Sequence, residues 1–168
     1  MIVIVCGLPG TGKTTFTKKL APLINAVALS TDKIRKELIA SPTYKKEERK
    51  LIYDVMILLA KYLNDSGKNC ILDATFNKEN SRMEVKKILE IPDKEFFMIE
   101  RTCPENIIIS RIKELKNDYS NANTEVYQKM KKIYEQVKGK HITIDTTLDP
   151  KKNAKLVSTK ILNLITEK

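Results

Sequence analysis

Long apolar runs are missing from this chain. The opening stretch at residues 2–6 is only five residues long, follows no basic region and runs straight into a glycine-containing loop, which does not fit a signal peptide. No other run approaches the roughly 18 apolar residues that a membrane-spanning helix requires, so the expected location is the cytoplasm, away from any membrane. Cysteine is scarce. Cys6, Cys70 and Cys103 are odd in number, lie in or beside apolar stretches and lack the short spacing of a metal site, as expected of free thiols in a reducing compartment. The one histidine, His141, begins an apolar run and reads as structural. Arginine supplies only five of the 31 basic residues: Arg35, Arg49, Arg82, Arg101 and Arg111. The formal charge of +10 therefore rests mostly on lysines scattered among glutamates. That pattern suits either a phosphate-rich partner or a solvated, heat-adapted surface. Linkers, repeats and low-complexity tracts are also absent, and 168 residues at 42% hydrophobic suit one domain over residues 1–168.

What is present is an alternation. Short β-branched runs at residues 2–6, 26–29, 69–72, 95–99 and 141–144 are separated by longer stretches of helical character. This predicts a three-layer α/β fold, a central five-stranded parallel sheet with helices on both faces. Leu51, Val55, Leu58, Leu59 and Tyr62 recur at helical spacing, so residues 44–65 read as one long helix stopped by Gly67. Further helices are expected at residues 13–21, 32–40, 78–90, 104–115, 124–137 and 150–166. The polar segment 116–123 reads as a loop.

The segment Gly7-Leu8-Pro9-Gly10-Thr11-Gly12-Lys13-Thr14, with Thr15 behind it, matches the Gly-x-x-x-x-Gly-Lys-[Ser/Thr] pattern at every fixed position and sits between a strand and a helix. Glycines allow backbone N–H groups to turn inward around phosphates, and the helix N-terminus adds partial positive charge. Lys13 is expected to bridge the outer phosphates of ATP, and Thr14 to ligate Mg2+. Asp73 follows the third strand, at the end of the sheet where ligands bind, and is expected to hold the metal through a water. Asp32 and Arg35 lie just past the second strand, three residues apart on one helical face. A carboxylate so placed could take the proton of an acceptor hydroxyl.

The loop at 7–14, the Asp32-x-x-Arg35 pair, Asp73-Ala74-Thr75-Phe76-Asn77 and the later Asn123-Thr124-Glu125-Val126-Tyr127 resemble the polynucleotide-kinase-like P-loop kinases. This group, also described as AAA-type ATP-binding proteins, includes phage-type 5′-hydroxyl polynucleotide kinases, seryl-tRNA kinases and zeta-toxin-like kinases. The resemblance runs from residue 1 to about 149 and implies the P-loop NTPase fold with a small helical lid at about residues 111–125. It implies that Asp32 is the general base and that Arg35 contacts the acceptor, with Asn77 and Arg82 also facing it. Arg111 takes the place of the first lid arginine, on the transferring phosphate; at the second the chain offers only Lys116, which keeps the charge but not the two-pronged geometry. Asp145-Thr146-Thr147 resembles the loop beside the adenine. A carboxyl-terminal tRNA-gripping domain is not expected, nor is an obligate protein partner. The leading expectation is an ATP-dependent kinase for a polynucleotide or RNA hydroxyl. The alternatives are a kinase for a sugar, nucleoside or similar alcohol, and an ATP-dependent switch protein.

Overall fold

A computed structural model of the chain describes residues 1–114 and 124–166. Its sheet is built from β1 (Ile2–Cys6), β2 (Ala26–Ser30), β3 (Asn69–Asp73), β4 (Phe96–Thr102) and β5 (Ile142–Asp145), all parallel, in the spatial order β2-β3-β1-β4-β5. The helices are α1 (Lys13–Leu23), α2 (Thr31–Leu38), α3 (Lys46–Asp65), α4 (Glu79–Ile88), α5 (Glu105–Glu114), α6 (Thr124–Ile133) and α7 (Pro150–Thr166). Among the described residues no helix is long and apolar enough to cross a membrane.

β1 is central and apolar at every position because both of its faces are covered. Ile2 and Ile4 point to a layer formed by α3 and α4, where they meet Ile52, Met56, Ala60 and Val85. Val3 and Val5 point to the other layer, where α1 and α7 contribute Phe16, Leu20, Ala154, Val157 and Ile161. Burial of each such side chain contributes about 1.5–3 kcal/mol. This is the P-loop NTPase architecture. From β1 the chain crosses to β2 at one edge, returns to β3 beside β1 and then passes to β4 and β5 on the other side, so the change of direction opens a crevice beyond the carboxyl end of β1.

Several boundaries differ from the sequence expectation. α3 is the long helix foreseen, but Ile52, Met56 and Ala60 form its buried face, while Leu51, Leu58, Leu59 and Tyr62 are exposed. β4 begins after a 3-10 turn at Asp93–Glu95 and continues to Thr102, which makes Arg101 a strand residue. α6 ends at Ile133 rather than at residue 137. Lys116 and most of the expected lid lie outside the described residues.

Candidate active site

The phosphate loop fills the turn between β1 and α1. Gly7, with φ of 136°, has no room for a side chain: a Cβ there would stand 2.5 Å from the Arg101 carbonyl oxygen. Gly10, with φ of 81°, lies against α5, and a Cβ on it would stand 2.9 Å from Ile108. The Leu8 carbonyl accepts three hydrogen bonds, from Thr11 N–H at 3.3 Å, Thr11 Oγ1 at 2.8 Å and Lys13 Nζ at 3.0 Å. Gly12 is in the left-handed conformation at the N-cap of α1, and the first turn of that helix contains no acidic residue. Its positive end is left uncompensated by the chain, as suits an anion.

Thr14 donates its hydroxyl to Asp73 Oδ2 at 2.7 Å, tying α1 to the end of β3. Asp73 is 3% exposed, and this desolvation raises its pKa, opposed by the Lys13 charge and the Thr14 hydrogen bond. Lys13 is shifted downward by its own desolvation, opposed by the negative charges of Asp73 and Asp32. Lys13, Thr14, Asp73 and Asp32 thus form one electrostatic cluster at the crevice.

Asp32 lies in the first turn of α2, which starts directly at the end of β2. Its side chain is 45% exposed, and Oδ1 accepts from Arg35 Nη1 at 3.0 Å. Arg35 itself is buried: Nε donates to Glu48 at 3.0 Å and the guanidinium stacks 4.7 Å from the Tyr44 ring. Glu48 in turn accepts from Thr43 and Tyr44 N–H, fixing the segment before α3. Arg35 borders the same cleft as Asp32, and its guanidinium is held between the two carboxylates.

Arg111 extends from α5 to the loop after β5, donating to Thr146 Oγ1 and to Thr146 carbonyl, both at 2.9 Å. Its Nη1 is 3.9 Å from where a Gly12 Cβ would be, so the guanidinium stands over the phosphate loop. Asp145 caps the same loop by accepting from Thr147 N–H at 2.8 Å. Pro9, Gly10, Gly12, Lys13, Thr14, Thr15, Asp32, Asp73, Asn77 and Arg111 all border a single cleft of about 1670 Å³.

Arg82 does not belong to this group, contrary to expectation. It is fully buried, its Nη1 donating to the Phe76 carbonyl, Nη2 to the Glu135 and Gln136 carbonyls, and Nε and Nη2 to the Glu79 carboxylate. Its work is to hold the 74–77 loop, where Phe76 takes a φ of 46° and donates its N–H to Tyr53, against the segment after α6. Arg82→Met is expected to lower stability by about 3 kcal/mol, because a carboxylate and three carbonyls lose their donor. The check is a lower urea midpoint with unchanged slope.

The matches to known proteins agree with this geometry. The AAA domain family profile covers residues 2–137. The L-seryl-tRNA(Sec) kinase of Methanococcus maripaludis is 29% identical over 158 residues, 88% of this chain and 60% of that protein. An uncharacterized protein of Mycobacterium tuberculosis is 26% identical over 139 residues, 74% of this chain but only 28% of its relative. The chain thus spans less than two thirds of the length of either protein. In fold it is similar to Chaetomium thermophilum Kti12 in complex with ADP-AlF3, with a TM-score of 0.76 at 15% identity over 99% of this chain and 100% of that one. Since the matched segment takes in the phosphate loop, Asp32, Asp73 and Arg111, the chain belongs to the AAA domain family (AAA_33) of P-loop kinase domains.

Proposed function

We propose that the protein is an ATP-dependent kinase that transfers the γ-phosphate to a hydroxyl of a phosphate-bearing acceptor, best a polynucleotide or RNA. The observation that carries this reading is Asp32, an accessible carboxylate oriented by Arg35 in the same cleft as the phosphate loop. In this reading Lys13 leaves the Leu8 carbonyl for the outer phosphates, and Arg111 balances charge on the transferring group. Asp32 accepts the hydroxyl proton as the acceptor oxygen approaches phosphorus.

Magnesium fits the donor set. Thr14 and Asp73 are hard oxygen donors already within hydrogen-bond distance of each other, and this ion is held by one or two carboxylates together with nucleotide phosphates rather than by a full protein cage. Thr14 would be its ligand and Asp73 would hold one of its waters. When bound, the ion neutralises phosphate charge.

The rest of the cleft supports this acceptor class. Its wall carries Lys33, Lys46, Arg49, Lys50, Lys78 and Lys129 together with Asp54, Glu84 and Glu114. Lys33, Lys50 and Lys78 pair with Glu37, Asp54 and Glu135, whereas Lys46, Arg49 and Lys129 form no ion pair among the described residues. A cleft wall with more basic than acidic side chains suits a polyanion better than a neutral sugar. The Methanococcus maripaludis relative, by its name, acts on a seryl-tRNA, an acceptor that carries an RNA polyanion.

The test is labelled ATP with magnesium against 5′-hydroxyl oligonucleotides, tRNA, nucleosides and sugars. Label is expected on oligonucleotide or tRNA. Label only on sugars or nucleosides would overturn the acceptor class, and ATP hydrolysis with no labelled acceptor would favour a switch protein. The double variant Lys46→Glu, Arg49→Glu is expected to weaken an oligonucleotide acceptor at least tenfold, by roughly 1.4 kcal/mol or more, and to flatten its log-log salt dependence by about two. The KM for ATP should not move.

A further inference from the structure

Arg101 has no part in the scheme above, yet it is the most conspicuous unpaired group in the cleft. It is 2% exposed, and its Nε and Nη1 find no hydrogen-bond partner among the described residues. No carboxylate there forms an ion pair with it. The side chain leaves the carboxyl end of β4, and its guanidinium lies 4.4 Å over the Phe16 ring of α1. Its own carbonyl oxygen packs against Gly7, the first residue of the phosphate loop. It borders the same cleft as Gly12, Lys13, Arg111 and Thr146.

The surroundings are poorly suited to a cation in the empty protein. Apolar neighbours on that side of the sheet include Phe16, Ile99 and Ile144. Burial, and then the like charge of Arg111, push the guanidinium down to about 10, with Asp145 and Cys103 opposing only in part. A face contact with Phe16 offsets some of the lost hydration, but it leaves the in-plane N–H groups unanswered. An apolar side chain would serve the packing better. What the position lacks is an anion, and the cleft is where one is expected.

We infer that Arg101 is a nucleotide-binding residue, a second cation beside Arg111 that contacts the phosphate chain of a nucleoside di- or triphosphate. This rests on the reading of the cleft as a nucleotide site. The empty protein therefore holds an uncompensated charge that its ligand neutralises, which couples binding to stability.

The experiment is calorimetric titration of ADP into wild type, Arg101→Met and Arg101→Lys, with the melting temperature of each protein measured without nucleotide. The Met variant is expected to bind ADP about 10- to 100-fold more weakly, as for loss of hydrogen bonds between charged groups. Its melting temperature without ADP should equal or exceed that of wild type. The Lys variant, which keeps the charge but not the planar fork, should regain only part of the affinity. Wild-type affinity in the Met variant would overturn the inference, as would a Met variant that melts lower or fails to fold while Lys rescues nothing, the mark of a packing residue. Failure of the wild type to bind ADP would instead overturn the nucleotide-site reading itself.

Discussion

Asp32→Asn is expected to slow phosphoryl transfer by about 10²- to 10⁴-fold, roughly 3–5 kcal/mol of barrier, while ATP binding stays almost intact. The amide keeps an oxygen for Arg35 Nη1, so the hydrogen bond that fixes the first turn of α2 survives. What is lost is the capacity to take a proton. Steady-state kinetics on the labelled acceptor provide the measurement. Wild-type turnover by this variant would reduce Asp32 to a helix-terminus residue, and the kinase mechanism would need another base.

Lys13→Ala should be as damaging by a different route. Removing a preorganised charge from the transferring phosphate costs about 10²- to 10³-fold in turnover, and ATP affinity should fall with it. Loss of folding can be told apart, because the Leu8 carbonyl that Lys13 bonds is also served by Thr11 N–H and Oγ1. The empty variant should therefore melt near the wild-type temperature, and only the rise in melting temperature with ATP should disappear. Normal turnover would remove the basis for placing the nucleotide on this loop.

Residues that act through their local pattern were legible before any coordinates. The phosphate loop has fixed spacing and a strand before it, so Lys13, Thr14 and the glycines could be read directly. Asp73 was readable because a charge at the end of an apolar run has few places to go other than the crevice. Arginine was another matter. The sequence points Arg82 at the acceptor and gives Arg101 no place, because their environments are supplied from afar: Arg82 by carbonyls more than fifty residues along the chain, Arg101 by a ring on α1. The extension of β4 to Thr102 is the signal that could have found Arg101, since strand alternation from Ile99 turns it to the same face. The face of α3 was also hidden. Two apolar stripes run along that helix, so periodicity alone does not say that Ile52, Met56 and Ala60 face the core while Leu51, Leu58 and Tyr62 are exposed.

The Arg82 clasp has a mechanical consequence. Glu135, two residues past α6, donates its N–H to the Asn77 carbonyl at 2.8 Å, pairs with Lys78 at 2.9 Å and is clasped by Arg82. The carboxyl end of α6 is thus fastened to the 74–78 loop, while its body is fastened to α5 by Lys131 and Gln128 on Glu105 and by Tyr127 against Ile108 and Ile112. The helix is therefore a strut that ties the Asn77 side of the cleft to the side that carries Arg111.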